Sequence, residues 1–559
     1  MAGTNSNCLI DPNSGFCSKT KTFRSLRPTV SLPPPSQRLS ITQFILSLHQ
    51  STSVTTTNTN TFLIDPVIGQ RLTYADFVRQ TNSLAFSLHK HYSLSKYDVA
   101  FILSPSSFKI PILYFSLLSL GVVISPVNPL GSNSEISRQV HLSRPSIAFA
   151  TSHTSHKLPP NLTTVLIDSP DFLSLLSTHT ANDVVTLPNS TPPVNQSDSA
   201  ALLYSSGTTG RVKGVLLTHR NLIAVIATLF HFESETNQTV QQPSHPIWLS
   251  TLPLFHIFGF LIISTAVALS ETVVFMERFD FATMLKAVEK YKVNKIPVSP
   301  PIIVALVKSE LTKTYDLTSL RILRCGGSPL GKEVAEKFKE KFPHVEILQG
   351  FGLTECGGVA AGMREPNETK RPGSVGLLYN IVEARIVDPV TGEALPPGQQ
   401  GELWLRGPNI MKGYSGDNKA TSDTLDSEGW LKTGDLCYFD SNGYLFIVDR
   451  LKELIKYKAY QVPPAELEHL LQSNPDIADA AVIPYPNEEA GQIPMAFVVR
   501  KPGCGITEAQ VMDFIAKQVA PHKKIRRVAF INSVPKSPAG KILRRELVSH
   551  ALSGNTSKL

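Results

Sequence analysis

The most informative stretch of the chain is Leu202-Leu203-Tyr204-Ser205-Ser206-Gly207-Thr208-Thr209-Gly210-Arg211-Val212-Lys213-Gly214. This pattern predicts a short strand that enters a loop of hydroxyl side chains and glycines and is followed by two cations. Glycines let backbone N–H groups approach an anion closely, hydroxyls add hydrogen-bond donors, and cations neutralise negative charge. Because the spacing matches neither the Walker A pattern nor the dinucleotide-binding fingerprint, it indicates a phosphate loop of another kind. An ordinary Ser/Gly surface loop is the alternative.

Other short segments place charged residues after turns, and each also has an ordinary structural interpretation. Glu355 follows a Gly-rich turn in Gln349–Glu355, where one carboxylate suits Mg²⁺, a cation that keeps most of its water; a helix N-terminus is the alternative. Asp435 follows a tight turn, where a carboxylate either accepts both hydroxyls of a ribose or belongs to a plain Gly-Asp turn. The cations of Asp449–Lys458 and Pro535–Arg545 either contact an anionic ligand or are simply exposed to solvent.

Taken together and in this order, these segments resemble the acyl-adenylate-forming superfamily of acyl-CoA synthetases, adenylation domains and insect luciferases. The likeness is greatest to the plant 4-coumarate:CoA ligase-like group and spans roughly Leu63 to Arg545. The resemblance implies that a carboxylate attacks the α-phosphate of ATP to give acyl-AMP and pyrophosphate, and that the thiol of CoA then displaces AMP. ATP, Mg²⁺ and CoA are the implied cofactors, and a small carboxylic acid is the implied substrate.

The resemblance also implies roles for the individual residues that match the family's motifs. Lys541 is expected to bridge the carboxylate and the α-phosphate, where a cation stabilises charge that develops in the transition state. Lys452 matches the hinge about which the small domain rotates after adenylation, and Lys456 a residue near the AMP phosphate. The positions that match nucleotide, metal and CoA contacts are Ser205, Ser206, Gly207, Thr208, Thr209 and Lys213 (β- and γ-phosphates), Thr354 (α-phosphate), Glu355 (Mg²⁺), Gln349, Gly350, Gly326, Gly327 and Ser328 (adenine and acyl group), Asp435 and Arg450 (ribose), and Lys458, Ala459 and Arg278 (CoA).

The acyl pocket departs from the pattern of true 4-coumarate ligases. His256 matches a residue that gates this pocket. Phe258 stands where such ligases usually carry Tyr, and Ile262 where they carry a small polar residue, so neither side chain pairs with a buried phenol hydroxyl. An unpaired buried hydroxyl costs about 1–3 kcal/mol. The pattern therefore favours an acid without a para-hydroxyl among the phenylpropanoid (cinnamate- or 4-coumarate-like), medium-chain fatty and cyclopentanone-alkanoic jasmonate-precursor acids.

Two other functions share this motif set. An adenylate-forming oxygenase like luciferase has the same first half-reaction and differs in consuming oxygen. A catalytically dead nucleotide-binding homologue has no need of Lys541, Glu355 and Lys213, and their presence argues against it. Ala459 stands where most relatives have glycine beside the pantetheine arm, so the sequence leaves the efficiency of the thioester step open.

The hydrophobic pattern predicts an α/β protein with two parts. Over Leu63–Val448, short apolar runs alternate with amphipathic stretches, which is typical of layered βα sheets covered on both faces. Over Ile386–Gly434 the runs are punctuated by Gly and Pro, which predicts a smaller β subdomain. The expected units are a poorly ordered N-terminal extension (1–60), a large adenylation body (61–449), and a small, mobile α+β C-terminal domain with its hinge near Lys452 (450–559).

Composition and the chain ends limit the protein's class and location. The 559 residues are 42% apolar and 18% charged, which is typical of a globular protein. No apolar run reaches the ~20 residues that span a bilayer. The net charge of +8 comes from cations in separated short motifs, which argues against nucleic-acid binding. The C-terminal tripeptide Ser557-Lys558-Leu559 matches a peroxisomal targeting signal, so we expect the import receptor to bind it and the protein to be peroxisomal. Residues 1–60 are rich in Ser and poor in acids, which predicts either a poorly ordered N-terminal extension or a transit peptide.

Overall fold

The computed structural model describes residues 10–52, 61–177, 192–205, 212–239, 245–328, 330–458, 460–537 and 540–553. Within these ranges, no helix combines the length and the apolar character needed to cross a membrane. The strands, in chain order, are β1 (Phe16–Cys17), β2 (Thr22–Arg24), β3 (Thr61–Ile64), β4 (Arg71–Thr73), β5 (Val99–Leu103), β6 (Val123–Pro126), β7 (Ile147–Ala150), β8 (Thr164–Leu166), β9 (Ser199–Ser205), β10 (Lys213–Thr218), β11 (Ile247–Ser250), β12 (Thr272–Phe275), β13 (Lys295–Val298), β14 (Ile322–Cys325), β15 (Glu346–Phe351), β16 (Ala361–Gly362), β17 (Ser374–Leu378), β18 (Glu383–Val387), β19 (Gly401–Arg406), β20 (Gly413–Tyr414), β21 (Leu431–Phe439), β22 (Tyr444–Arg450), β23 (Ile455–Tyr457), β24 (Tyr460–Val462), β25 (Ile477–Asn487), β26 (Gly491–Arg500) and β27 (Arg527–Phe530).

The helices alternate with the strands through most of the body. In chain order they are α1 (Ile41–Thr52), α2 (Tyr74–Tyr92), α3 (Lys109–Ser119), α4 (Asn133–Ser143), α5 (Pro170–Leu176), α6 (His219–Thr239), α7 (Ile257–Leu269), α8 (Phe281–Tyr291), α9 (Pro300–Lys308), α10 (Lys332–Lys341), α11 (Pro366–Thr369), α12 (Asn418–Thr424), α13 (Pro464–Ser473), α14 (Glu508–Ala516) and α15 (Arg544–Leu552).

The larger sheet of the body joins a parallel half to an antiparallel half. Its order in the described residues is β1-β2-β18-β19-β21-β22-β17-β16-β15-β14-β13-β11-β12-β3-β4. The neighbours from β15 through β14, β13, β11 and β12 to β3 are parallel, whereas β15 pairs with β16 in the antiparallel sense. The predicted α/β class is confirmed. The Gly- and Pro-punctuated strands continue the same hydrogen-bonded sheet as the parallel strands.

A second sheet packs across a layer of helices from the first. Its order is β20-β10-β9-β6-β5-β7-β8, and one hydrophobic core contains side chains from both sheets together with α1, α2, α3, α6 and α7. In α7 nearly every side chain is buried. A helix that is apolar on all sides suits this position between two sheets. The helix therefore brings its first turn to the interior, next to the ends of the parallel strands.

The residues that follow β22 have a core of their own. A cluster from Ile455 to Val528 packs β23, β25, β26 and β27 against α13 and α14, and a second cluster from Ala481 to Leu547 packs the other face of β25 and β26 against α15. A small sheet with helices on both faces is an α+β unit. Its boundary at 449–450 and the hinge at Lys452 stay predictions.

The prediction of a poorly ordered extension is wrong for residues 10–52. β2 pairs with β18, which adds β1 and β2 to the edge of the larger sheet. Phe23 stacks on Phe439 with ring centroids 4.2 Å apart. The apolar positions Ile41, Phe44 and Ile45 face the core from α1. Their helical spacing is a signal that the overall Ser- and Pro-rich composition conceals. Residues 1–9 and 53–60 lie outside the described residues.

Candidate active site

The two ends of the predicted phosphate loop lie side by side. Ser205 ends β9 and Lys213 begins β10, and the two are register partners in this antiparallel pair. The pairing holds the hydroxyl and the ammonium at the base of one loop. The loop positions assigned to phosphate contacts, Ser206, Gly207, Thr208 and Thr209, lie outside the described residues.

The base of this loop contacts the Glu355 carboxylate. The Ser205 hydroxyl donates to Glu355 Oε1 at 2.8 Å, and the Tyr414 hydroxyl donates to the same oxygen at 3.0 Å. Lys213 Nζ lies 4.4 Å from the Tyr414 ring centroid. Burial, then the Glu355 charge, raises the pKa of Tyr414, so its hydroxyl stays a neutral donor. Sequence reasoning missed Tyr414, because Gly413-Tyr414 carries no motif of its own.

A buried asparagine holds the turn that carries Thr354 and Glu355. This turn, Thr354–Cys356, follows β15 directly. Asn409 is fully buried, and its Nδ2 donates to the Cys356 carbonyl at 2.9 Å and to the Val359 carbonyl at 2.8 Å. The carboxylate is thereby presented from a rigid turn. One carboxylate held in this way fits Mg²⁺, which takes its other ligands from water and phosphate oxygens.

A cleft of about 560 Å³ lies between the body and the C-terminal unit. Its walls bring together residues that are far apart in the sequence. The predicted site residues among its lining are Gly327, Ser328, Gln349, Gly350, Asp435, Arg450 and Lys541. The strand end at Gln349–Gly350, the β21–β22 hairpin and the loop before α15 supply them. The structure therefore gathers the predicted ribose, adenine and catalytic positions around one space.

Asp435 has one paired and one unpaired carboxylate oxygen. Asp435 and Arg450 are register partners on β21 and β22, and Arg450 Nε lies 3.2 Å from Oδ1. Oδ2 is buried without a hydrogen-bond partner among the described residues. Burial raises the pKa of Asp435 to about 6, against the opposing charges of Arg450 and Lys541. A buried acceptor without a partner fits a hydroxyl donated by a ligand.

A tight loop presents Lys541 to the same cleft. The Ser537 N–H donates to the Lys541 carbonyl at 2.8 Å, and the Lys541 N–H donates to Ser537 Oγ at 3.2 Å. Gly540 has φ +81°, and a Cβ there would lie 2.9 Å from Ser299 Oγ of the body. Glycine therefore permits the loop to rest against the body. Burial, then the Arg450 charge, lowers the pKa of Lys541.

A smaller cavity of about 130 Å³ adjoins the cleft. The two cavities share the strand-end residues Gly327, Gln349 and Gly350. The remaining predicted pocket residues, His256, Phe258, Ile262 and Gly326, line it. A methyl group at 326 would lie 3.6 Å from the Phe258 ring, which is ordinary van der Waals contact, so Gly326 and Phe258 are neighbours in the wall of the cavity. This cavity therefore brings together the residues of the predicted acyl pocket, and its role stays a prediction.

His256 caps the helix that forms one wall of the pocket. Its Nδ1 accepts a hydrogen bond from the Phe258 N–H at 3.2 Å at the start of α7. An accepting Nδ1 places the ring proton on Nε2. Burial lowers the pKa of His256, which keeps the ring neutral. The neutral ring thus caps the helix and also lines the cavity.

The sequence pattern of the AMP-binding enzymes matches residues 51–415, and that of the AMP-binding enzyme C-terminal domain matches residues 466–541. The chain belongs to the AMP-binding enzyme family. The cleft is lined by residues of both matched regions and of the segment between them. The predicted resemblance to the acyl-adenylate-forming ligases is confirmed.

Similar proteins of the family come from plants. The chain is 58% identical to 4-coumarate--CoA ligase-like 9 of Arabidopsis thaliana, and the match covers all of both chains. It is 50% identical to 4-coumarate--CoA ligase-like 6 of Oryza sativa subsp. japonica over 98% of this chain and 93% of that one. It is 44% identical to peroxisomal OPC-8:0-CoA ligase 1 of Arabidopsis thaliana over 98% and 99% of the two chains.

Solved structures of other proteins share the fold. ATP-bound MatB from Rhodopseudomonas palustris aligns with a TM-score of 0.79 at 24% identity, over 91% of this chain and 99% of that one. The o-succinylbenzoate-CoA synthetase of Bacillus subtilis, in complex with its acyl-adenylate intermediate, aligns with a TM-score of 0.75 at 25% identity, over 90% and 97%. These alignments confirm the predicted architecture of a large body with a smaller C-terminal unit.

Several predicted CoA and hinge residues of this family member lie outside both cavities. Arg278, Lys452, Lys456 and Lys458 have exposed side chains, and neither cavity includes them in its lining. Lys458 has φ +52° and its N–H donates to the Ala490 carbonyl at 2.8 Å. Its neighbour Ala459 is outside the described residues. The cleft is thus lined by Lys541, the predicted adenylation lysine, and by none of these four cations.

The smaller cavity, the candidate acyl pocket, also contains polar residues that sequence reasoning missed. Phe258 and Ile262 lack hydrogen-bonding groups, as expected, but polar side chains line the same cavity further in. They are Glu233, Trp248, Thr265, Arg324 and Tyr379. These residues lie far apart in the sequence and outside the recognised motifs, so only their shared cavity reveals them.

Proposed function

We propose that the chain is an ATP-dependent carboxylate:CoA ligase that makes an acyl-AMP and then an acyl-CoA thioester. The observation that carries this proposal is the junction of two cavities. The cleft with Asp435, Arg450 and Lys541 meets the largely apolar pocket at Gln349 and Gly350. A nucleotide in the cleft and an acid in the pocket place the α-phosphate beside the carboxylate. Proximity of this kind is the main requirement for phosphoryl-group chemistry.

In the first half-reaction, the residues of the cleft bind ATP and stabilise negative charge. Asp435 Oδ2 accepts a ribose hydroxyl, which supplies the partner it otherwise lacks. Ser205 and Lys213 flank the loop that holds the β- and γ-phosphates, and Thr354 contacts the α-phosphate. The Glu355 carboxylate would hold Mg²⁺, which neutralises phosphate charge when bound. Lys541 lies between the carboxylate and the phosphate, so its ammonium stabilises charge in the transition state.

In the second half-reaction, the C-terminal unit turns about Lys452. The exposed positions of Lys456 and Lys458 support this step, because cations that serve the thioester step must reach the site by such a movement. Rotation removes Lys541 and brings the face that carries Lys456, Lys458 and Ala459 to the acyl-AMP. Arg278 contacts CoA from the body.

The substrate is a phenylpropanoid, medium-chain fatty or jasmonate-precursor acid, and the site of action is the peroxisome. The apolar entrance formed by His256, Phe258 and Ile262 supports the acid class. The names of two relatives, a 4-coumarate--CoA ligase-like protein and a peroxisomal OPC-8:0-CoA ligase, point in the same direction. The C-terminal Ser557-Lys558-Leu559, outside the described residues, is the signal for the peroxisomal import receptor.

Product mass spectrometry tests the reaction class. Purified protein receives ATP, Mg²⁺, CoA and a panel of cinnamate, 4-coumarate, medium-chain fatty acids and a cyclopentanone-octanoic acid. We expect an acyl-CoA product from at least one acid. Lys541→Met is expected to lower acyl-AMP formation by about 10²–10³-fold. Lys517→Met, at an exposed position directly after α14, is expected to leave it unchanged. If no acid in the panel yields either acyl-AMP or acyl-CoA, the proposal is overturned.

A further inference from the structure

The inner end of the acyl pocket is polar. Arg324 lies on β14, two residues before Gly326, which directly follows the strand. Two residues of a strand span about 7 Å, and positions two apart share one face of it. Along α7, Phe258, Ile262 and Thr265 lie on one helix face, and Thr265 is about 10 Å from Phe258. Both polar residues line the pocket. The carboxyl group of an acid lies at the opposite end, near Gln349 and the cleft.

Two hydrogen-bonding atoms at this inner end have no partner among the described residues. Thr265 is only 2% exposed, and its Oγ1 is buried without a hydrogen bond. Threonines inside helices commonly bond the carbonyl one turn back, and Thr265 does not. Arg324 Nε is likewise buried and unpaired, although its Nη1 donates to the Met363 carbonyl at 2.8 Å. Buried polar atoms without partners are rare enough to need an explanation.

The charges around these atoms are balanced. Arg324 Nη2 lies 2.6 Å from Glu233 Oε1. Lys295 Nζ lies 3.4 Å from Glu233 Oε2 and 3.2 Å from Glu271 Oε1. Trp248 Nε1 donates to Glu271. Two cations therefore face two carboxylates. An additional buried charge on a substrate would have no countercharge left and would carry the full desolvation penalty.

The size of the pocket limits the acyl group. Its volume is about 130 Å³, close to the ~150 Å³ of an engineered cavity that binds benzene. A ring or a chain of similar volume fits between Phe258 and Thr265. Such a group reaches the inner end with its far atoms.

We propose that Thr265 Oγ1 and Arg324 Nε bind a neutral oxygen, a ketone or a hydroxyl, at the far end of a ring-sized acyl group. This inference rests on the proposed ligase function and adds the chemistry that selects among acids. A ketone oxygen accepts from both donors, and a hydroxyl accepts from Arg324 and donates to Thr265. Thr265 is thus a specificity-determining residue.

Matched pairs of acids test the inference. Each pair shares a carbon frame and differs only in the distal oxygen: cinnamate and 4-coumarate, cyclopentylacetate and 3-oxocyclopentylacetate, hexanoate and 5-oxohexanoate. The measured quantity is the ratio of kcat/KM for the oxygenated acid to that for its partner. We expect Thr265→Val to lower this ratio by about tenfold, the effect of one lost hydrogen bond. Ser264→Ala is the control, because Ser264 is equally buried, has an unpaired Oγ and does not line the pocket.

Binding is measured in parallel as the shift in Tm with each acid. The inference is supported if the wild type binds the oxygenated acid better than its partner and Thr265→Val does not. If this binding preference is found but no acid is turned over, only the ligase proposal fails. Equal binding and equal kcat/KM for both members of every pair would overturn the inference and leave the ligase proposal standing. Absence of both binding and product for every acid would overturn both. A ketone-only preference identifies Thr265 as a donor, and a hydroxyl preference identifies it as an acceptor.

Discussion

At the scale of single residues, the unpaired oxygen of Asp435 is the most specific sign of a ligand. Burial raises the pKa of this carboxyl to about 6. The ionised Asp435 carboxylate therefore lowers the free energy of unfolding. A carboxyl of raised pKa opposes folding fully above the folded pKa and not at all below the unfolded one. The loss of stability is therefore greatest above pH 6 and disappears as pH falls toward 4.

We expect Asp435→Asn to stabilise the fold and to weaken ATP binding. The free energy of unfolding rises by on the order of 2 kcal/mol at pH 8, because the amide carries no buried charge. This gain shrinks as pH falls from 6 toward 4, where the wild-type carboxyl becomes protonated. Urea unfolding at several pH values measures it. A gain that does not change with pH would contradict the assignment of the buried charge.

Tyr414, unlike Asp435, contacts the candidate site without belonging to any recognised motif. Its hydroxyl donates to Glu355 at 3.0 Å, and its ring faces Lys213. Tyr414→Phe removes the hydroxyl and keeps the ring. We expect kcat/KM for ATP to fall by about tenfold, the effect of one hydrogen bond to a charged group. Pyrophosphate exchange measures this, and Tyr438→Phe, whose ring stacks on Phe446 away from the cleft, is the control.

At the scale of elements, the loop that carries Lys541 depends on contact with the body. Gly540 lies against Ser299, whereas Gly503 has nearly the same backbone angle, φ +82°, with open space around it. Comparing Ala substitutions at Gly540 and Gly503 therefore separates the effect of backbone strain from the effect of displacing the Lys541 loop.

We expect Gly540→Ala to lower acyl-AMP formation by at least about tenfold, because the added methyl pushes Lys541 out of the cleft. Gly503→Ala carries a similar strain of about 1–2 kcal/mol and leaves adenylation unchanged. Acyl-AMP yield and Tm are measured for both variants. Equal loss of adenylation in the two would show that strain, and not the contact with Ser299, is responsible.

At the scale of the whole molecule, the proposed mechanism requires the C-terminal unit to take a different position in each half-reaction. The cleft contains Lys541, and the side chain of Lys456 is exposed outside it. One arrangement of the two parts therefore cannot serve both steps with both lysines.

We expect the two lysines to affect opposite half-reactions. Lys541→Met loses acyl-AMP formation but converts supplied acyl-AMP and CoA to acyl-CoA at nearly the wild-type rate. Lys456→Met makes acyl-AMP but converts it to acyl-CoA about 10²-fold more slowly than the wild type, because it lacks the ammonium that stabilises the departing phosphate. Single-turnover assays of each half-reaction measure both variants. Loss of the same step in both would contradict a rotating C-terminal unit.

The sequence alone determined the family and the α/β class, and it predicted candidate residues for a nucleotide site. These follow from short local patterns: the glycine-rich turns need particular backbone angles, and phosphate, ribose and Mg²⁺ need particular donors within a few residues of one another. Asp435, Arg450 and Lys541 could therefore be named before their shared cleft was seen.

Only the tertiary structure decided what lies beyond those motifs. Residues 10–52 are ordered by partners far away in the sequence: β2 pairs with β18 and Phe23 stacks on Phe439, while the Ile41 N–H of α1 donates to His219 Nδ1. The polar inner end of the acyl pocket combines α6, α7, β11 and β14, whose residues share no local spacing. Burial and unpaired hydrogen-bonding atoms are properties of three-dimensional neighbours, and a one-dimensional pattern does not contain them.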